Sequence, residues 1–198
     1  MTMANRNTQG FGLIAQGTVG STMASQGQGK YLIDAGMAVD LFQGTAVRSA
    51  AGYIVTAQAA ITNTCIGVLN GIFYNDASTK KPTFANFYNQ PITPANSEDI
   101  TAFVIDNPNQ LFVASIDAAA AQAEYGKTYG LTVTAAGSEL SGQSSSELTY
   151  ATRHATNNQW RLVRTAEDPE NNDIAAANCS VVVAHNLNQY FTGAVTWQ

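Results

Sequence analysis

Apolar residues come along this chain in short runs set apart by glycine and by clusters of Asn, Asp, Ser and Thr. Runs of that length, rich in branched and aromatic side chains, predict strands. The strongest is 65–74, CIGVLNGIFY, uncharged and with Gly67 and Gly71 inside it. It predicts a buried strand whose glycines mark bulges or the close approach of another backbone. Residues 75–80 supply turn chemistry, because Asn, Asp and Ser side chains bond their own backbone. Pro82 opens a second extended piece over 83–88, with Phe84 and Phe87 as its expected anchors. The pair predicts a hairpin at the centre of a β-domain.

The same rhythm continues on both sides. Residues 31–34, 39–43, 45–48 and 53–56 predict strands before the hairpin, punctuated by Gly36, Gly44 and Gly52. After it, 100–106 predicts a strand that turns at 106–109 into an antiparallel partner, 110–117, with Leu111, Val113 and Ser115 on one face. Pro91 and Pro94 keep 89–99 a loop, and the polar stretch 135–147 is another. Residues 131–134, 148–152, 160–164 and 178–184 complete the strand set. The alternation in 160–164 (WRLVR) predicts an apolar face and an arginine face. One helix is expected, the alanine run 118–124, with Asp117 as N-cap and Gly126 as its stop. The fold class is mainly β: a compact antiparallel β-barrel or sandwich over residues 31–187, with one short helix and an extended N-terminal arm. Residues 1–30 are glycine- and glutamine-rich and predict a flexible arm, sticky at Phe11, Leu13 and Ile14, that orders on a partner by strand addition. Residues 188–198 are a tail whose Tyr190, Phe191 and Trp197 are either core or an exposed interface.

Composition changes this picture in one respect. Charged residues are 12% of the 198, about half the usual ~25%, so neutral amides and hydroxyls carry the polarity. Net charge is −5 with 9 Lys+Arg against 14 Asp+Glu. Without a basic cluster, nucleic acid is not an expected partner. No run is long and apolar enough for a bilayer, and residues 1–17 lack the core of a secretion signal, so a soluble protein made in a cytoplasm is expected, with no membrane partner. Cys65 and Cys179 sit in apolar runs and are expected as reduced, buried hydrophobes; spacing alone does not pair them.

Local motifs argue against catalysis. Residues 27–30 (GQGK) end in lysine before Tyr31, which breaks the phosphate-loop pattern. The acidic stretch 167–173 lacks the residue order of a calcium loop, so a solvated turn is expected. His154 and His185 belong to no recognisable triad or zinc spacing, and the serines of 141–146 have no neighbouring base in sequence. The sequon at Asn178 carries no weight without secretion. No enzyme activity, cofactor or metal is expected.

Several segments together resemble a known family. The hairpin reads G-V-x-x-G-x-x-Y-x-D (67–76), then K-P-x-F-x-N-x-Y (81–88). With it go N-R-N-x-Q-G-F-G-L (5–13), L-F-Q-G-T-A-V (41–47), G-Y-I-V (52–55), A-F-V-I-D-N-P-x-x-L-F (102–112) and E-D-P-E-N (167–171). This ordered set is similar to the capsid cement, or head decoration, proteins of tailed bacteriophages. The resemblance implies a structural protein made in the host bacterial cytoplasm. It would sit on the outer surface of the capsid in the virion and brace the lattice through contact with the major capsid protein. With the surplus of aromatic residues, it also implies a homotrimer. The alternatives are a head fibre or host-surface module that binds glycans through exposed aromatics, and a hydrolase using a carboxylate pair.

Overall fold

The computed structural model describes residues 4–20, 27–57, 64–132 and 137–190. In chain order the strands are β1 (Ile14–Thr18), β2 (Gly29–Ile33), β3 (Ala46–Ala50), β4 (Tyr53–Thr56), β5 (Gly67–Asn75), β6 (Pro82–Ala85) and β7 (Ile100–Ile105). There follow β8 (Gln110–Ile116), β9 (Thr128–Leu131), β10 (Gly137–Ser138), β11 (Gln143–Ser144), β12 (Leu148–His154), β13 (Trp160–Thr165) and β14 (Cys179–His185).

Five strands close a barrel in the order β8-β12-β9-β13-β14, and β14 pairs back onto β8. Side chains alternate across a strand, so every second residue enters the barrel. Phe112, Ala114 and Ile116 do so from β8, and Cys179, Val181 and Val183 from β14. They meet Tyr129, Leu131, Leu148, Trp160 and Leu162. Phe112 stands edge-on to Trp160, with ring centroids 5.5 Å apart and planes at 83°, a favoured aromatic geometry. Strand β1 adds to β8 from outside, Ile14 opposite Val113.

Strands β2 to β7 form an open sheet, β2-β7-β5-β3-β4, with β6 on β5. One face carries its own core of Ile33, Val47, Ile54, Leu69, Ile72, Ile100 and Val104. The opposite face is divided. At one end, Ala46 and Val68 join the barrel core, and Ile105 packs against it. At the other end the face is bare. A bulge between Leu69 and Gly71 puts Val68, Gly71 and Phe73 on this one face, while Leu69 and Ile72 point to the sheet core. Gly67 has the close approach expected of it: a Cβ there would lie within 3.0 Å of the Ile105 carbonyl oxygen.

The central hairpin is as expected. Phe73 pairs with Phe84 and Asn75 with Pro82. Asp76 Oδ1 closes the turn by accepting from the N–H groups of Ser78 (2.9 Å) and Thr79 (2.7 Å). The Ser78 hydroxyl and these N–H donors hold the carboxyl down to about 2.

Five expectations are corrected. Phe84 is no anchor; it is 73% exposed, because it lies opposite Phe73 on the bare face. Tyr88 takes that role, fully buried and donating its hydroxyl to Met37 O at 2.8 Å. The alanine run forms no α-helix, only a 3-10 turn at Gln122–Glu124. Alanines offer no apolar stripe to bury. Asp117 Oδ1 accepts from Tyr150 N (2.8 Å) instead of capping, and Ala120 N bonds to Ile174 O (2.8 Å). Strands β7 and β8 are not a hairpin: the turn at 106–109 carries the chain from the open sheet into the barrel, since β7 pairs with β2 and β5 and β8 with β1, β12 and β14. The 135–147 loop contains the small hairpin β10–β11. At the C-terminal side, Asn188 and Gln189 are buried, and Gln189 exchanges two bonds with the Ser49 backbone. The domain therefore runs past residue 187.

Candidate functional site

Residues 5–13 form a strap along the barrel wall. Asn5 Nδ2 has the carbonyl oxygens of Ala177 (2.9 Å), Asp173 (3.0 Å) and Ala176 (3.2 Å) around it, and Asn5 Oδ1 accepts from Asp173 N. Asn7 N donates to Asn171 Oδ1 (2.7 Å) and Asn7 Nδ2 to Ser180 Oγ (3.0 Å). Arg6 pairs with Glu170 at 2.7 Å, both well exposed. Gly10 lies so close to the barrel that a Cβ would fall within 3.0 Å of the Ser145 and Ser146 carbonyl oxygens. Gly12, at φ +76, swings the chain so that Leu13 N reaches Gly44 O at 2.9 Å. The N-R-N and E-D-P-E-N segments, some 160 residues apart in sequence, are thus two halves of one latch.

The flexible arm expected over 1–30 is corrected for residues 5–18 and 29–30. Their backbone and side-chain groups find partners in the domain, so the segment is wall rather than tether. Three proposed contact residues separate accordingly. Leu13 is 3% exposed and belongs to the barrel core, which takes it off the outer surface. Ile14 is 46% exposed, and Phe11 is half-buried. The Phe11 ring sits where three clefts of about 290, 340 and 350 Å³ meet. The first runs beneath β1 between Val68, Ile105, Gln43 and Asn70. The second is lined by Asn7, Ile14, Val113 and Ser180. The third is a rim of serines and glycines. Among the described residues, Asp168 is the one charged residue lining any of them.

The bare end of the open sheet carries a second surface. Phe84 leans at a tilt against Phe73 (centroids 4.7 Å apart) and lies nearly parallel to Phe103 (6.3 Å). The register extends the row across four strands, since Phe73 lies opposite Thr101 and Thr101 opposite Leu32. Leu32 is 42% exposed. The sequence reading did not find this ladder. The available signal was parity: Phe84 and Phe73 share a face whichever way the hairpin is turned.

Groups that could titrate lie elsewhere. His185 packs at a tilt against Trp160 (4.5 Å) and meets Phe112 edge-on. Its Nδ1 is 3.4 Å from Cys65 Sγ, and its Nε2 is buried without a hydrogen-bond partner. Burial holds the imidazole down to about 4 and pushes the Cys65 thiol up to about 12. Both are neutral at pH 7, the reverse of the thiolate–imidazolium state of an activated cysteine. Cys179 is also free and buried. Glu124, mostly buried, takes Arg153 on Oε1 (2.8 Å) and Lys127 on Oε2 (3.1 Å) and accepts from the Tyr129 hydroxyl. This cluster neutralises a carboxylate at the barrel end. His154 is exposed and accepts from Thr156 N. Asp168 spends its carboxylate on Asn171 Nδ2 and Glu170 N. Among the described residues, no three His, Cys, Asp or Glu gather as a metal site would need, and no helix is long and apolar enough to cross a membrane. Tyr190 is 47% exposed, its hydroxyl against that of Tyr31; Phe191 and Trp197 lie outside the described residues.

Compared with family models, with curated proteins and with solved structures, the chain matches none.

Proposed function

We propose that this protein is a structural decoration protein that attaches to the outer surface of a bacteriophage head and braces its lattice, with the major capsid protein as its partner. The sequence resemblance suggests the class, and one observation carries the attachment: the Phe11–Ile14 corner. There an aromatic ring and an exposed isoleucine border three open, almost uncharged clefts. A protruding apolar side chain from a capsid subunit fits beside Phe11, with Gln43, Asn70 and Ser180 offering neutral hydrogen bonds around it. Burial of side chains of this size contributes roughly 1.5–3 kcal/mol each, whereas an exposed ion pair such as Arg6–Glu170 contributes roughly 0–1 kcal/mol.

The test is decoration of stripped heads. Phe11→Ala and Ile14→Asp are expected to weaken binding by about tenfold or more, equivalent to ~1.4 kcal/mol, and Glu170→Ala to leave it unchanged. Raising salt from ~50 to ~500 mM, which shortens the Debye length about threefold, is expected to change occupancy little. Binding that collapses with salt but survives Phe11→Ala would overturn this reading. A glycan array serves the head-fibre alternative, for which a specific glycan hit without head binding would decide.

A further inference from the structure

We propose that the third cleft at Phe11, between the strap and the β10–β11 hairpin, is a binding site for one ring of a neutral carbohydrate. The inference goes beyond capsid attachment. It uses Phe11 but not Ile14, which lines the other two clefts and not this one.

The lining selects the ligand. Beside Phe11 stand Gln9, Ser138, Ser141, Gln143 and Ser145. Among the described residues, the side chains of Gln9, Gln143 and Ser145 have no hydrogen-bond partner. The hydroxyls of Ser138 and Ser141 accept from backbone N–H groups of their own turn (3.4 and 3.3 Å) and keep their protons to donate. An amide sets a donor beside an acceptor, and a hydroxyl serves as both. Neighbouring hydroxyls on a sugar ring offer the same pair in return. The C–H face of that ring, weakly positive, suits the negative face of the Phe11 ring. An apolar side chain seated here would instead strip water from these groups and leave them unpaired. No charged residue lines the cleft among the described residues, so a phosphate, a sulfate or an acidic sugar would meet no cation.

The walls are fixed in advance. Asn86 Nδ2 holds the Ser141 carbonyl at 2.8 Å. Gln43 N donates to Gly142 O and Ser144 N to Gln43 O, each at 2.9 Å. Gly137 lies so close to the Phe42 ring that a Cβ there would overlap it. On the strap side, Gly12 N donates to Ser146 O at 3.0 Å. A preformed site loses little conformational freedom on binding. At about 350 Å³ the cleft is near the lower end of small-ligand sites, which span ~300–1,000 Å³. That size suits one ring rather than an extended chain. One ring held by a few neutral bonds binds weakly, with a dissociation constant on the order of 1 mM. Copies displayed together on one surface bind a glycan layer far more tightly.

The test is titration of the full-length, 15N-labelled protein with glucose, galactose, mannose and N-acetylglucosamine. Each is raised to on the order of 100 mM, a large excess over a millimolar constant. At least one is expected to shift the amide resonances of Gly10, Phe11, Ser141, Gln143 and Ser145 saturably. Gln9→Ala and Gln143→Ala are each expected to weaken that binding about fivefold, as loss of one neutral hydrogen bond does. Both residues are exposed, so thermal melting of the variants should match wild type. Ile14→Asp should leave the sugar bound as before while it weakens attachment to heads, which keeps the two readings separable. No saturable shift with any of the sugars would overturn the proposal. So would binding that neither glutamine variant weakens, or shifts centred on Phe73, Phe84 and Phe103. Tighter binding of N-acetylneuraminic acid than of the neutral sugars would also overturn it. Tighter binding in this cleft of a neutral peptide, acetyl-Gly-Ser-Asn-Gly-amide, would assign it to protein instead.

Discussion

The barrel and the open sheet are made from strands of similar length and composition, but they treat their aromatic residues in opposite ways. In the barrel, Phe112, Tyr129 and Trp160 are fully buried. In the sheet, Phe84 is 73% exposed, and Phe73 and Phe103 are half-exposed beside it. Closure explains the contrast. A sheet closed on itself has one inner face, and alternation sends every second side chain there. An open sheet has two faces, and this one covers one and a half of them. What distinguishes the regions is how many faces the topology leaves to be covered.

The most severe way to break the contrast is to truncate one aromatic on each side. Trp160→Ala should destabilise the protein by about 3–5 kcal/mol, the usual range for a buried Trp or Phe. Phe84→Ala should stay within about 0.5 kcal/mol, as exposed positions do. Urea denaturation of the two variants measures the difference, and equal losses would mean that the ladder is core after all.

A second effect belongs to the barrel alone. The His185 imidazole is held near 4 in the folded protein, against about 6.5 when unfolded. Above pH 6.5 neither state takes the proton, and stability is indifferent to pH through this group. Between 6.5 and 4 the unfolded chain binds a proton that the folded barrel refuses, so stability falls as pH falls, by up to about 3 kcal/mol in all. Below 4 the loss is complete and this contribution is flat. Denaturation midpoints across pH 4–7 should slope in the wild type, and the slope should shrink in His185→Phe.

The smallest effect sharpens the role of the strap. Asn5→Ala removes side-chain bonds to the 173–177 loop and should cost about 1–2 kcal/mol. It should also speed amide exchange at Gly12 and Leu13. Arg6→Ala breaks an exposed pair and should cost less than about 0.5 kcal/mol. Equal effects of the two would make the latch electrostatic.

Much of this architecture is readable in the sequence because it depends on local pattern. The 65–88 hairpin has its turn chemistry written at Asn75–Asp76 and its partner strand announced by Pro82. Trp160 and Leu162 enter the barrel as their alternation predicts and Val163 points outward, 39% exposed; a bulge between Leu162 and Arg164 then keeps Arg164, which strict alternation would send inward, on the outside as well. What was illegible depends on partners far away in the chain. Alanine propensity at 118–124 argues for a helix, but the N–H of Ala120 is claimed by Ile174 and the carboxylate of Asp117 by Tyr150. The glycine-rich start reads as a tether because nothing near it in sequence can hold it; its holders stand at 170–180. Phe84 reads as an anchor because composition reports hydrophobicity and says nothing of which face is left uncovered. At the candidate site, Phe11, Leu13 and Ile14 read alike in the sequence, which does not tell that Leu13 turns inward while Ile14 stays exposed, and the ladder was missed.

The latch between Asn5–Asn7 and residues 170–180 also has a consequence in time. On the ribosome the strap emerges about 170 residues before its seat. At the usual ~5–20 residues per second, the segment waits roughly 10–30 s with its partners unmade. The barrel cannot close before β14 exists, because β14 supplies one whole edge of β8. Closure of the barrel is therefore expected to wait until β14 has been made. Its rate would be set by bringing the two ends together, as in other folds dominated by distant pairings.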